Sequence, residues 1–428
     1  MDHAYRPAGQ EAHAGTAARA GRAASPQYAL WRICLGALLT VASTVPWMVS
    51  GTPGAYAATV GTADRRLSAA LDADFRTTAR EHDFSGAVLV AQRGAVLLQR
   101  GYGMADWERG VPNTDDTEFR ISALSGQFTA AAVLQLQEHG VLHIRDRLCL
   151  YLRGACPRAW AAITIQQLLN GSSGLHDYAN DPRTANLLGS PITPAQLIAL
   201  IGGFPLDATP GTQCGFYNGS YPVLGYLVSR VSGQPFATYI RRHFLAPLDL
   251  RHTGFDQDRQ SPNQAATGYL TWQLRAAPDV DLSFVAAASG MYSTVADLYR
   301  WQQALEAGRV LAPAMVAAMV TPTCAYCQAA ARCSAPPGQS ASTSGPVGVV
   351  PGWAALDDSA GPGGAGYPWE IGIEDHRRYW GLTATLPGFV SFERSFPNQQ
   401  VTVIMLGNQR DAALDLLSFE LANRLFGQ

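Results

Sequence analysis

Runs of strand-forming residues stand near the two ends of this chain, and a long, mostly helical stretch separates them. Residues 84–107 (FSGAVLVAQRGAVLLQRGYGMADW) contain two apolar runs around Gln92-Arg93-Gly94, a pattern typical of a β-hairpin. Close to the other end, HRRYWGL, FVSFERSF and QQVTVIMLGN read as consecutive strands. The order predicts an α+β (α/β) fold: an antiparallel sheet flanked by helices, built from both ends of the chain, plus a helical inserted lobe at about residues 120–280.

The first 57 residues have the character of a targeting segment. Arg19, Arg22 and Arg32 precede an apolar run at residues 33–49, and Ala55-Tyr56-Ala57 then offers a small-x-small cleavage site. This pattern favours a cleaved signal peptide, and an uncleaved membrane anchor formed by residues 33–49 is the alternative. Either reading places residues 58–428, interpreted as one domain, outside the cytoplasm.

Six cysteines follow that leader, and an even number in an exported protein favours disulfides. Cys149 and Cys156 bracket a short loop and are expected to pair with each other. The remaining four have no pairing that the sequence decides; they are Cys214, Cys324, Cys327 and Cys333. No histidine lies near the Cys324-Ala-Tyr-Cys327 group, so we expect disulfide chemistry there and no metal.

Composition excludes some chemistry. All 31 basic residues are arginines, so the chain has no lysine that could act as a general base. The formal net charge of −2 gives no reason to expect a nucleic-acid partner. Residues 328–366 are rich in Gly, Pro, Ser and Ala and are expected to form a loop insertion. No cofactor is expected.

The order of several segments resembles the serine β-lactamase and penicillin-binding protein fold, most closely its class C-like "β-lactamase-related" serine hydrolases. The resemblance runs from about residue 68 to the end of the chain. The stretches that carry it are FSGAVLVAQRGAVLLQRGYGMAD, FRISALSGQFTAAAVLQLQEHGVL, ITIQQLLNGSSGLHDY, PGTQCGFYNGSYPVLGYLVSRVSGQPF, FLAPLDLRHTGF, ASGMYSTVADLYRW and LPGFVSFERSFPNQQVTVIMLGN.

The resemblance implies three catalytic motifs, and this chain departs from each of them. In the S-x-x-K motif, a serine and a lysine one helical turn apart share a face, so the amine can accept the hydroxyl proton. The Gln-Phe-Thr-Ala stretch at 127–130 places those positions at Ala123 and Gly126. The nucleophile and its base are therefore both missing.

The other two motifs are degenerate as well. The PGT stretch at 210–212 places the family's Y-x-N motif on residues 216–218, where Phe216 replaces the tyrosine and Asn218 is kept. The LPGF stretch at 386–389 places the H/K-x-G motif on residues 382–384, where Leu382 replaces the basic residue.

These losses favour an exported, catalytically inactive relative that acts in binding, sensing or scaffolding. In the family, backbone N–H groups form the oxyanion hole, and here they would belong to Ala123 and Thr385. A residual cleft could then accept a small molecule or peptide with a carbonyl or carboxylate, of the cell-wall type. The residues expected to line it are Ala123, Ser125, Tyr217, Asn218, Thr383 and Thr385.

Two alternatives stay open at this point. The chain could be an active serine hydrolase that uses unrecognised residues, of which a Ser172–His176 pair is the testable version. It could instead be a structural surface protein in which Leu382 and Phe216 close the cleft. Ser122 and Ser125 flank the nucleophile position, and we expect both to cap the helix or bond the local backbone.

Overall fold

The two ends of the chain meet in one antiparallel sheet. The computed structural model describes residues 62–81, 83–187, 189–215, 218–258, 264–271, 275–278, 280–325, 364–374, 376–410, 412 and 414–427. Strand β1 pairs along its whole length with β13, from Gly86 opposite Gly407 to Gln92 opposite Val401. This long-range pairing confirms the predicted sheet built from both ends of the chain.

The large sheet has the strand order β2-β1-β13-β12-β11-β10-β9-β8 among the described residues. Its strands are β1 (Gly86–Gln92), β2 (Ala95–Tyr102), β8 (Cys324–Ala325), β9 (Gly364–Ala365), β10 (Glu370–Glu374), β11 (Arg377–Leu386), β12 (Phe389–Phe396) and β13 (Val401–Gly407). The turn at Arg93-Gly94, where both residues have positive φ, joins β1 to β2 and confirms the predicted hairpin. Strand β9 includes residues from the end of the segment expected to be a loop insertion.

Both faces of the sheet are covered, which explains why the neighbouring strands β1 and β13 are largely apolar. Along β1, Ala87, Leu89 and Ala91 belong to the larger hydrophobic core, which lies beneath the helical lobe. The alternate residues Val88 and Val90 belong to a second core, packed with the first and last helices.

Helices occupy most of the chain between the two parts of the sheet. Those described are α1 (Thr62–Arg80), α2 (Gly126–Glu138), α3 (Cys149–Leu152), α4 (Ile165–Leu169), α5 (Pro194–Gly202), α6 (Ser220–Ser232), α7 (Phe236–Ile240), α8 (Ala286–Ser289), α9 (Val295–Glu306), α10 (Pro313–Met319) and α11 (Leu414–Phe426). Two small sheets accompany them: β3 (Met104–Asp106) with β4 (Val111–Pro112), and β7 (Met291–Ser293) between β5 (Phe119–Arg120) and β6 (Gly254–Phe255).

The start of helix α2 is central because two of the implied motif positions lie there: Ala123 in the turn before the helix and Gly126 as its first residue. A short 3₁₀ turn, Ser122–Ser125, leads directly into the helix. Gly140, just past the end of the helix, has φ +68°, the left-handed conformation expected of a C-terminal cap.

The leader (residues 1–57), its candidate membrane segment 33–49, and residues 326–363 of the predicted insertion lie outside the described residues. Within the described part of the chain, no helix combines the length and apolarity needed to cross a bilayer.

Candidate functional site

The nucleophile position of the implied motif is a buried methyl group. Ala123 lies in the 3₁₀ turn before α2 and is 4 % exposed. Ser122, which precedes it, has φ +50° and donates its hydroxyl to the carbonyl of Thr385 at 2.8 Å. That hydrogen bond fixes the turn against strand β11.

Ser125 bonds the local backbone, as expected for a serine in this turn. Its hydroxyl donates to the carbonyl of Ser122 at 2.7 Å and accepts from the N–H of Met291 at 3.2 Å. The side chain is fully buried, so a ligand would reach the hydroxyl only if the turn opened. Among the described residues, the hydroxyls of Ser122 and Ser125 bond backbone groups and no His, Asp or Glu side chain.

The base position is closed by two neighbouring side chains. A β-carbon added to Gly126 would lie 3.2 Å from Cε1 of Tyr221 and 3.5 Å from Cβ of Pro368. Tyr221 donates its hydroxyl to the carbonyl of Leu169 at 2.9 Å, and burial raises its pKa well above the usual value. It is therefore a neutral hydrogen-bond donor that fills space, and it cannot replace the missing base.

The asparagine that the second motif retains is hydrogen-bonded to an aspartate. Asn218 donates to Oδ1 of Asp177 at 2.6 Å, and Asn180 donates to the other carboxylate oxygen at 2.7 Å. Burial raises the pKa of Asp177 against the opposing effect of these two donors. Asn218 is thus held by an internal acceptor. Phe216 and Tyr217, the two preceding positions, lie outside the described residues.

The third motif position faces a buried carboxyl group. Leu382 on β11 is 4 % exposed and lies directly opposite Glu393 on β12. Glu393 is fully buried and accepts a hydrogen bond from Nε2 of Gln127 at 3.0 Å. Burial raises its pKa to about 8, because that one amide donor does not replace the lost hydration. Thr383 is half-buried and Thr385 is buried on the same strand.

The alternative Ser172–His176 arrangement was wrong. Ser172 donates its hydroxyl to Oδ1 of Asn170 at 2.7 Å, and Ser173 shares a hydrogen bond with Ser220 at 2.9 Å. Neither serine bonds to the histidine. These short polar side chains stabilise the turn at residues 171–174.

His176 is instead held between two carboxylates. Its Nδ1 lies 2.7 Å from Oδ1 of Asp207, and its Nε2 lies 2.8 Å from Oδ2 of Asp181. Burial lowers the pKa of His176, but the bonds to Asp207 and Asp181 outweigh it, and the pKa is raised. A ring that donates from both nitrogens is an imidazolium and has no lone pair with which to accept a proton.

Two disulfides form among the described residues. Cys149 pairs with Cys156, as predicted, and Cys214 pairs with Cys324. The second bond joins the loop just before Phe216 to strand β8, across a sequence separation of 110. Cys327 and Cys333 lie outside the described residues. Within the described ranges, no group of three or more His, Cys, Asp or Glu side chains could hold a metal ion.

The structure therefore brings three of the implied positions together around the start of α2, namely Ala123, Gly126 and Leu382. No sequence signal pointed to the residues that close the site. Tyr221 and Pro368 are far from Gly126 in the chain, and their role depends on tertiary packing. Glu393 did leave a signal, since it is a charged residue within the apolar strand FVSFERSF.

Comparison with known proteins identifies the family of this chain. A family model described as Beta-lactamase matches residues 71–417, and the chain belongs to the β-lactamase family. It is 29% identical over 245 residues to "Putative penicillin-binding protein PbpX" of Bacillus subtilis (strain 168), a match that covers 57% of this chain and 60% of that protein. It is 27% identical over 253 residues to "Penicillin-binding protein 4*" of the same organism, covering 54% of each chain. The matches thus span little more than half the length of these relatives.

Solved structures show the same fold. D-amino acid amidase from Ochrobactrum anthropi SV3 superposes with a TM-score of 0.65 at 19% identity, covering 85% of this chain and 98% of the amidase. EstCE1, described as a hydrolase with promiscuous acyltransferase activity, superposes with a TM-score of 0.67 at 20% identity, covering 86% of this chain and 100% of its own.

Proposed function

We propose that this chain is an extracytoplasmic, catalytically inactive member of the β-lactamase family that binds a small carbonyl- or carboxylate-bearing ligand. The observation that carries the proposal is the closed base position: Gly126 stands where the family has lysine, and Tyr221 and Pro368 fill the adjoining space. The methyl group of Ala123 stands one helical turn earlier, where the nucleophile would be.

The magnitude of the loss supports inactivity. Removing a serine and its base typically lowers kcat by about 10⁶, and about 10³–10⁴ over water remains from oxyanion donors and binding. Compared with an enzyme that turns over about ten times per second, this residual activity is negligible. His176 has both ring nitrogens bonded to carboxylates and Ser172 bonds Asn170, so the two offer no substitute pair.

The elements that favour ligand binding are those that do not depend on a nucleophile. Backbone N–H groups at positions 123 and 385 survive any change of side chain. Asn218 is retained and positioned by Asp177. The relatives named as penicillin-binding proteins suggest the ligand class, which is a cell-wall-type peptide or its β-lactam analogue.

The disulfides, as well as the leader sequence, support an extracytoplasmic location. Disulfides persist in oxidising compartments, and this chain forms two of them among its described residues. Whether the leader is cleaved or keeps the protein at the membrane through residues 33–49 is tested by the mass of the mature protein after export.

Intact-protein mass spectrometry tests the central claim. The purified, oxidised full chain is incubated with a fluorophosphonate probe and, separately, with a penicillin. We expect no covalent adduct with either reagent. A stoichiometric adduct, mapped to any serine, would overturn the proposal and identify the nucleophile.

Calorimetry then tests the binding half of the proposal. A D-Ala-D-Ala peptide and a penicillin are titrated into the full chain up to millimolar concentration. We expect saturable binding that weakens when Asn218 is changed to Ala. If neither ligand gives a binding heat, the result would favour the alternative of a structural protein with a closed cleft.

A further inference from the structure

Helix α6 separates the degenerate site from a second cavity. Tyr221, on one face of the helix, packs beside Gly126. Pro222, Gly225, Tyr226 and Ser229 repeat at helical spacing on another face, and they border a cavity of about 330 Å³. The cavity is thus distinct from the motif positions.

The walls of this cavity are apolar and uncharged. Besides α6, it is lined by the start of α5, by α7 and by the segment from Leu282 to Gly290. Leu197, Phe236 and Phe255 supply large apolar surfaces, and among the lining residues that the structure describes there is no Asp, Glu, Arg or His. A charged ligand group would find no counter-charge here, so the occupant must be uncharged inside the cavity.

Its size and shape suit an extended ligand. The volume is about twice that of an engineered apolar cavity of about 150 Å³ that binds benzene. The four bordering residues of α6 run from Pro222 to Ser229, and seven residues of helix rise about 10 Å. A slot of this length, lined by helices, favours an alkyl chain over a single ring.

Three hydroxyl groups line the cavity among the described residues, and that of Tyr226 is the one with no protein hydrogen-bond partner. Ser229 donates its hydroxyl to the carbonyl of Gly225 at 3.1 Å, and Ser283 accepts from the N–H of Ile192 at 2.9 Å. The described residues give the Tyr226 hydroxyl no partner, although Tyr226 lines the cavity. That hydroxyl can donate to a neutral oxygen such as that of an alcohol or ester.

We propose that this cavity is a binding site for a medium-length alkyl or acyl chain that bears an uncharged, oxygen-containing head group. The chain lies along α6 among the apolar walls, and the head group accepts a hydrogen bond from Tyr226. The site is independent of the cleft at Ala123 and of whether the protein is catalytic.

The experiment uses straight-chain primary alcohols from butanol to dodecanol, titrated calorimetrically into the full-length protein. Each added methylene should tighten binding by about fourfold, until the chain exceeds the slot and the gain stops. Tyr226→Phe should weaken every alcohol by a similar factor, because it removes the donor and leaves the walls unchanged.

A matched pair of variants locates the site. Ala237 lines the cavity, whereas its neighbour Thr238 is exposed on the same short helix. Ala237→Phe should weaken decanol at least tenfold by filling the space, and Thr238→Phe, which adds the same ring, should leave it unchanged. If Ala237→Phe does not fold, Ser229→Leu fills the cavity from α6.

Three outcomes would overturn the proposal. Binding that is absent for every alcohol would show that the cavity is closed to ligands. Affinity that keeps rising with chain length and ignores the filling variants would indicate non-specific partition onto the surface. Tighter binding of benzene than of octanol would assign the cavity to ring compounds.

Discussion

The α-carbon of Gly126 faces the ring of Tyr221 so closely that a β-carbon would lie 3.2 Å from Cε1. A lysine at this position would need space that Tyr221 and Pro368 already occupy. The missing lysine is thus accompanied by close packing at the start of the helix, so the position differs from the family's by more than a functional group. Restoring the serine at position 123 and the lysine at position 126 should therefore not restore the family's catalytic chemistry.

The first prediction concerns the variant Ala123→Ser/Gly126→Lys. We expect no acylation by penicillin, and a fall of about 1–3 kcal/mol in the free energy of unfolding, because the lysine overpacks a filled site. Chemical denaturation and intact-mass analysis measure the two effects. Ala123→Ser alone is the control and should keep most of the stability. Stoichiometric acylation of the double variant would show that the site still accommodates a working Ser-Lys pair.

A second prediction concerns the two amides that hold Asp177. Asn218→Ala should cost about 1–3 kcal/mol of unfolding free energy, because it removes the 2.6 Å donor to a half-buried carboxylate. Asn180 donates to the same carboxylate but is exposed, so Asn180→Ala should cost less. Equal costs in denaturation experiments would mean that Asn218 contributes nothing beyond a surface hydrogen bond.

The two disulfides should contribute unequally to stability. In the chain-entropy description, closing 110 residues through Cys214–Cys324 restricts the unfolded chain by about 4.7 kcal/mol, against about 2.4 kcal/mol for the separation of seven at Cys149–Cys156. Replacing both cysteines of each pair by serine, followed by denaturation, measures the difference. A larger loss from the Cys149–Cys156 pair would show that the short loop matters through native packing instead.

The sequence predicts the fold of this protein better than it predicts the details of the site. The hairpin at Arg93-Gly94 follows from local turn chemistry, and the apolar runs at both ends follow from burial on both faces of one sheet. These signals are local, so they can be read from short windows. The order of the segments was enough to indicate the family.

The details of the site depend on contacts between distant residues. Gly126, Tyr221 and Pro368 meet only in the folded chain, and so do His176 and Asp207. Ser172 and His176 are close in sequence, and this proximity suggested a catalytic pair. The pair does not form, because sequence proximity carries no information about the distant residues to which a side chain bonds. Short spacing within a turn is weak evidence for chemistry when both side chains can bond elsewhere.

Glu393 provides the last prediction, on pH. Its pKa is about 8 in the folded protein, against about 4.3 in an unfolded chain. Between these values the native state binds more protons than the unfolded state, so the contribution of Glu393 to stability is complete below about pH 4.3 and is lost as pH rises towards 8. The slope in that window should be about 1.4 kcal/mol per pH unit from this group.

Glu393→Gln should remove that slope and stabilise the protein near pH 8. Among the described residues, Oε1 of Glu393 and Oε1 of Gln127 are buried without hydrogen-bond partners. A glutamine at 393 offers an amide donor to Gln127 and keeps the acceptor for its Nε2, so both amides can be satisfied without a proton. Unfolding free energies measured from pH 5 to 9 should therefore diverge from those of the unmodified chain as pH rises.

Glu81→Gln, at an exposed position, is the matched control, and its unfolding free energies should run parallel to those of the unmodified chain. Parallel curves for Glu393→Gln as well would mean that Glu393 is already ionised in the fold at neutral pH.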